Sequence, residues 1–175
     1  MIALRSGWFG KGVLGVMAAV GMFVSAAAYA DDLHLLINGK AFHVNAPAGS
    51  NYNENNWGGG LQYDFVSPNA KWMPFLQVSG FKDSMRNMSY YAGGGVLRHL
   101  RPGARPGELR ADVGIVAFVM TRKDYKDDKP FIGALPAFSV GTDRAALNVT
   151  YIPKVDPKMV ALWFVQLKVR IAEIQ

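Results

Sequence analysis

Residues 109–120 read Leu109-Arg110-Ala111-Asp112-Val113-Gly114-Ile115-Val116-Ala117-Phe118-Val119-Met120. Leu109, Ala111, Val113, Ile115, Ala117 and Val119 are all apolar. The residues between them, Arg110, Asp112, Gly114, Val116, Phe118 and Met120, start polar and end apolar. A period of two belongs to a β-strand, whose successive side chains point to opposite faces. Ten steps at about 3.4 Å, tilted by ~40°, cover a height of ~26 Å, which is the apolar band of an outer-membrane barrel.

The same alternation recurs along the chain and predicts eight strands: Leu33–Asn45, Trp57–Val66, Lys71–Phe81, Ser89–Leu100, Leu109–Met120, Phe131–Gly141, Ala145–Ile152 and Met159–Ile171. Turn residues separate them, such as Ser67-Pro68-Asn69 and Arg101-Pro102-Gly103. In the last strand Ala161, Trp163, Val165, Leu167, Val169 and Ile171 share an apolar face. Val160, Leu162, Phe164, Gln166, Lys168 and Arg170 share the other.

Met1 to Ala30 is of a different kind. Arg5 and Lys11 precede an apolar run that ends Ala28-Tyr29-Ala30, ahead of Asp31-Asp32. This is the pattern of a cleaved secretory signal peptide, leaving residues 31–175 as one domain. The chain has no cysteine, so an exported domain of this size is held by a large core or by a membrane. The formal charge of +6 includes the two leader cations, and without them is +4. That excess is too mild for a nucleic-acid partner and suits anionic lipid headgroups. Export, no cysteine and an even number of antiparallel strands together predict an all-β fold, an eight-stranded antiparallel transmembrane β-barrel in the outer membrane of a Gram-negative bacterium.

With both chain ends in the periplasm, the fifth strand runs up and the last runs down. Their inward residues then agree: Arg110, Asp112, Gln166, Lys168 and Arg170 fall low, while Val116, Phe118, Met120, Leu162 and Phe164 fall high. An interior that is polar below and apolar above has room in principle for an acyl chain, although barrels of this size are usually filled by side chains. The same topology puts Asp83 and Ser84 in an outer loop, and His43 near the top of the first strand. A serine, a histidine and a carboxylate at one rim can serve as nucleophile, base and orienting group. An Asp-Ser pair is also an ordinary turn. Adjacent residues of an extended chain point opposite ways, so both serve one histidine only if the loop bends. By simple alternation His43 falls on the face opposite Asn38 and Lys40, which could equally be the inner face. The three histidines, His34, His43 and His99, have no metal-ligand spacing, and no cofactor is expected.

Tyr52-Asn53-Glu54, Trp57-Gly58-Gly59-Gly60, Phe81-Lys82-Asp83-Ser84 and Ala92-Gly93 resemble the lipid A palmitoyltransferase (PagP) family. Leu135-Pro136, Ser139-Val140-Gly141 and Thr150-Tyr151-Ile152-Pro153 resemble it at matching spacing, so the likeness runs from about Phe42 to Leu167. The resemblance implies transfer of a palmitoyl chain from a phospholipid donor to the lipid A part of lipopolysaccharide, by a monomer among outer-membrane lipids. It implies His43, Asp83 and Ser84 as catalytic residues. It implies Arg122 as a loop arginine toward substrate and Gly95 as the glycine that floors the acyl pocket. Val116, Phe118 and Phe164 would line that pocket. The chain departs from the family in lacking an opening amphipathic helix. Of the prolines that flank the family's two lateral lipid entrances only Pro136 is present; Asn56 and Arg144 stand where others would be. These departures leave a second reading, a non-catalytic small barrel that binds lipid or is structural. A third, a soluble secreted barrel of lipocalin type, is opposed by the long apolar faces.

Overall fold

A computed structural model describes residues 31–67, 70–100, 107–155 and 159–174. The expected leader and the turn residues Pro68-Asn69 and Arg101-Pro102-Gly103 lie outside the described residues. Eight strands follow in order: β1 (Asp31–His43), β2 (Asn55–Asp64), β3 (Trp72–Lys82), β4 (Met88–His99), β5 (Arg110–Thr121), β6 (Phe131–Gly141), β7 (Ala145–Ile152) and β8 (Leu162–Ile174). Each pairs antiparallel with the next, and β8 pairs back onto β1, so the sheet closes into a barrel. Most strand ends fall within two or three residues of the alternation-based limits. β8 is displaced furthest, because Asp31, Asp32 and Leu33 pair with Ile174, Glu173 and Ala172 to finish the closing seam.

The two faces of β5 and β8 are as the alternation assigns them. Ile115, Val119, Trp163 and Leu167 are exposed, while Asp112, Val116, Gln166 and Lys168 are buried. Around the outside, Leu35, Leu61, Leu76, Val78, Ile132 and Leu147 continue the apolar surface. Trp57, Tyr90 and Trp163 stand near the upper rim, and Trp72 near the lower. Here the lower rim is the end that carries Asp31 and Ile174. A soluble barrel does not present a continuous apolar belt with aromatic edges, whereas a membrane-spanning one does.

The interior has more layers than two strands suggest. Near the lower rim, Lys168 Nζ donates to Asp64 Oδ2 at 2.9 Å, and Gln62 Nε2 donates to Asp64 Oδ1 at 2.6 Å. Arg170 reaches Asp32 of β1 and Asp143 of the β6–β7 turn. An amide belt crosses the middle: Gln166 Nε2 donates to Asn38 Oδ1 at 2.6 Å and to Tyr91 Oη at 3.1 Å, and Asn38 Nδ2 donates to Ser79 Oγ at 2.8 Å. Beside these, low on β3 and β4 and midway along β5, sits an apolar cluster of Met73, Phe75, Leu97 and Val116. Polar groups are therefore not confined to the lower half, and apolar ones are not confined to the upper. Burying so many polar groups is tolerable because they bond to one another.

Three irregularities of the wall matter for the rim. The β1 register slips between Asn38 and Lys40: against β8 Gly39 is the extra residue, and against β2 the extra residue is on β2. The β6–β7 ladder pairs only Ala137 to Gly141 with Thr150 to Ala146, and above it stands Pro136, which has no N–H to donate. The β2–β3 ladder ends at Gly58–Phe81, and above it the Asn56 side chain donates to the Lys82 carbonyl at 2.7 Å.

Candidate functional site

The bulge at Gly39 decides where His43 points. Without it, His43 would face away from Asn38. With it, Asn38, Ala41 and His43 are all on the inside. A bulge puts two residues opposite one, so strand parity reverses beyond it. The His43 side chain is 3% exposed.

The loop after β3 does bend. Asp83 N donates to Asn87 O at 2.8 Å, Arg86 N donates to Asp83 O at 3.0 Å, and Arg86 adopts φ 65°. The Asp83 carboxylate holds this turn from within. Its Oδ1 accepts the N–H groups of Met85 and Asn87, each at 2.9 Å, and its Oδ2 accepts the Ser89 hydroxyl at 2.9 Å. An aspartate that bonds to backbone a few residues ahead is a turn former.

That bend carries Ser84 Oγ to 3.0 Å from His43 Nε2. Tyr52 stacks on the imidazole with a centroid separation of 4.5 Å and an interplanar angle of 16°. Glu54 Oε1 lies 3.6 Å from His43 Nδ1. Asn53 joins the two loops: its N–H donates to Ser84 O at 2.8 Å and its amide to Asp83 O at 3.0 Å. A rim pocket of about 390 Å³ opens over this group, with Lys40, His43, Tyr52, Glu54 and Arg86 in its wall. A histidine within hydrogen-bond reach of a serine hydroxyl has the geometry of a general base with its nucleophile.

The other expected residues lie elsewhere. Below the rim, Phe164 packs on Phe81 at 5.1 Å and Phe118 meets Tyr91 at 6.3 Å. Val116 belongs to the apolar cluster, and Gly95 lies against the Phe75 ring, close enough that an added Cβ would stand 2.7 Å from Phe75 Cζ. These rings fill the upper interior. The cavity bounded by Phe75, Tyr91, Val116 and Phe164 has a volume of about 40 Å³, too little for a long acyl chain until rings move. Arg122 is in the β5–β6 loop, where its guanidinium clasps Asp124 through two bonds of 3.0 and 2.7 Å. No cluster of three or more metal-ligating side chains occurs among the described residues.

Tyr52, Asn53 and Glu54 were not assigned a role by sequence reasoning, although they form one of the quoted motifs. Loop residues carry no period, so nothing in an alternation pattern points them at His43.

Residues 24–167 match the sequence model of the family described as antimicrobial peptide resistance and lipid A acylation protein PagP. Over 102 residues the chain is 32% identical to a lipid A acyltransferase PagP of Legionella pneumophila, covering 58% of this chain and 52% of that one. It is 34% identical over 102 residues to a lipid A acyltransferase PagP of Laribacter hongkongensis (strain HLHK9), covering 58% of this chain and 47% of that one. The chain thus spans about half the length of the curated relatives it matches. Among solved structures, the Yersinia pestis outer membrane protein Ail aligns with a TM-score of 0.42 and 12% identity, over 80% of this chain and 99% of that one.

Proposed function

The chain belongs to the PagP family of lipid A acylation proteins, and from that premise we propose that it is an outer-membrane acyltransferase, exported by its leader, that moves a palmitoyl chain from a phospholipid to lipid A. The observation that carries this reading is the 3.0 Å contact between Ser84 Oγ and His43 Nε2 at the upper rim. His43 takes the Ser84 proton as Oγ attacks the donor's ester carbonyl. The C–O bond to the lysophospholipid breaks, and that oxygen takes the proton from Nε2. A lipid A hydroxyl then attacks the acyl-serine, gives its proton to His43, and Ser84 regains one as it leaves. Asp83 contributes by holding the turn that presents Ser84.

In this reading the donor enters sideways where the β6–β7 ladder stops below Pro136. Its tail lies inside the barrel once Phe81, Phe118 and Phe164 swing to the wall, with Gly95, Phe75 and Val116 beneath it. Arg122 serves the substrate headgroup after releasing Asp124. Mass spectrometry of lipid A from cells with and without the protein tests the proposal. Wild-type chain should add one palmitoyl group, and His43→Ala and Ser84→Ala should not. Lipid A unchanged by the wild-type chain would sink the reading.

The second reading, a non-catalytic lipid-binding or structural barrel, draws on the closed interior of about 40 Å³. It expects unmodified lipid A, and outer-membrane integrity that depends on the protein but not on Ser84.

A further inference from the structure

We infer that Glu54 is the positioning carboxylate of His43, and that Asp83 is not. This rests on the acyl-transfer reading above, since it names the group that sets the imidazole for its work. Both acids stand in motifs that meet at the rim, but only one is not already committed to holding a turn. The Asp83 carboxylate is buried and already accepts three hydrogen bonds from Met85, Asn87 and Ser89. Turning it toward His43 would undo the bend that delivers Ser84.

His43 Nδ1 is buried and has no hydrogen-bond partner at its present separations. The carboxylate facing it is that of Glu54, at 3.6 Å. The Glu54 side chain is 49% exposed, so it has the freedom to close the remaining few tenths of an ångström. Its backbone does not share that freedom: Glu54 O accepts the Ala41 N–H at 3.0 Å, fixing it beside β1. Tyr52, two residues earlier, clamps the ring face, so the imidazole can slide in its plane but not turn over. Asn53 between them bolts the segment to the Asp83–Ser84 backbone. One tripeptide thus supplies the plane, the anchor and the acid. The cations lining the same pocket, Lys40 and Arg86, do not neutralise Glu54: Arg86 donates to Asn51 instead, and no Lys40–Glu54 ion pair occurs among the described residues.

A carboxylate at Nδ1 does two things. It holds the neutral ring with its hydrogen on Nδ1, leaving the Nε2 lone pair to accept the Ser84 hydroxyl. It also steadies the imidazolium formed when Ser84 gives up its proton. A wrong tautomer would present N–H to the hydroxyl and stall the transfer.

Two measurements on the exported protein in lipid vesicles test this. Nitrogen-15 spectra of the His43 ring should show the Nδ1–H tautomer in wild type, a shift toward Nε2–H in Glu54→Ala, and no shift in Asp83→Asn. With palmitoyl phospholipid and lipid A as substrates, Glu54→Ala should lower kcat roughly 10- to 100-fold with KM nearly unchanged, below the full general-base effect because Glu54 is half exposed. Glu54→Asp should recover part of the loss. An unshifted tautomer in Glu54→Ala, or a shift in Asp83→Asn alone, overturns the assignment. If wild type transfers no acyl chain, the acyltransferase reading fails, and the tautomer spectra still decide whether Glu54 holds His43.

Discussion

Lys168 Nζ and Asp64 Oδ2 lie 2.9 Å apart inside the lower half of the barrel, with side chains 2% and 1% exposed. β8 supplies one and β2 the other, on either side of β1, so the pair ties strands that are not neighbours. Removing one partner strands the other charge away from water. Lys168→Met should therefore cost about 3–5 kcal/mol, whereas Lys168→Met combined with Asp64→Leu should cost far less. Urea unfolding in lipid vesicles measures both. Equal losses in the single and double variants would show that leaving Asp64 unpaired costs nothing.

The outer face of β8 gives a depth-dependent test. Leu167 lies near the middle of the strand, while Trp163 lies near its upper end against Tyr151 at 4.8 Å. Leu167→Arg should cost about 2–4 kcal/mol, and Trp163→Arg less for the charge itself. Unfolding free energies unchanged in both would mean that this face is not in lipid.

Chain length should respond to Phe75. The resemblance points at Gly95, and Gly95→Met looks like the natural way to raise a pocket floor. The structure argues against that variant, since a Cβ at Gly95 collides with the Ile115 carbonyl oxygen, which is backbone and cannot swing aside. Phe75→Leu trims the same floor without that collision. If the acyl tail ends there, preference should move to longer chains by about 0.8 kcal/mol, or about fourfold, per methylene newly buried. Competition between phospholipids of graded chain length reads this directly. An unchanged preference with uniform slowing would place the tail elsewhere.

Acid should loosen the lower rim. Burial pushes the Asp143 carboxyl up, but the Gly107 N–H at 2.8 Å and the Arg170 guanidinium at 2.9 Å outweigh it and hold Asp143 below its usual value of 3.8. A depressed carboxylate contributes stability that is full above its unfolded value and is lost as pH falls through the folded one. The unfolding midpoint should therefore drop below about pH 4. Asp143→Asn should lower it modestly at neutral pH and flatten that acid slope, modestly because the group is only partly buried in a solvent-facing turn. A wild-type slope retained in Asp143→Asn would assign it to other carboxylates.

Strand number, order and facing were legible because period two is imposed on every strand by the same pleat, as the split of Val116 from Ile115 illustrates. Parity fails wherever the count changes, and His43 is the example: one bulge residue, Gly39, reverses its side, and a bulge leaves no mark in an alternating pattern. The Asn38–Gln166–Tyr91 belt was hidden for another reason. Its members come from β1, β8 and β4, and only closure brings them together. Asp83 and Ser84 were legible as neighbours at the upper rim and not by their contacts, since which one reaches His43 depends on a turn built by Asp83 itself.

A closed ring of hydrogen bonds has no loose end from which to peel. The short β6–β7 ladder supplies one: above Ala137 and Thr150 the two strands stand side by side without pairing to each other. Amides there should be the first to trade hydrogen for deuterium, well before those of the β1–β8 seam. The barrel would then open under load as a zip fastener does, from one fixed point, and the wall would be weakest on the side where a membrane lipid has the shortest way in.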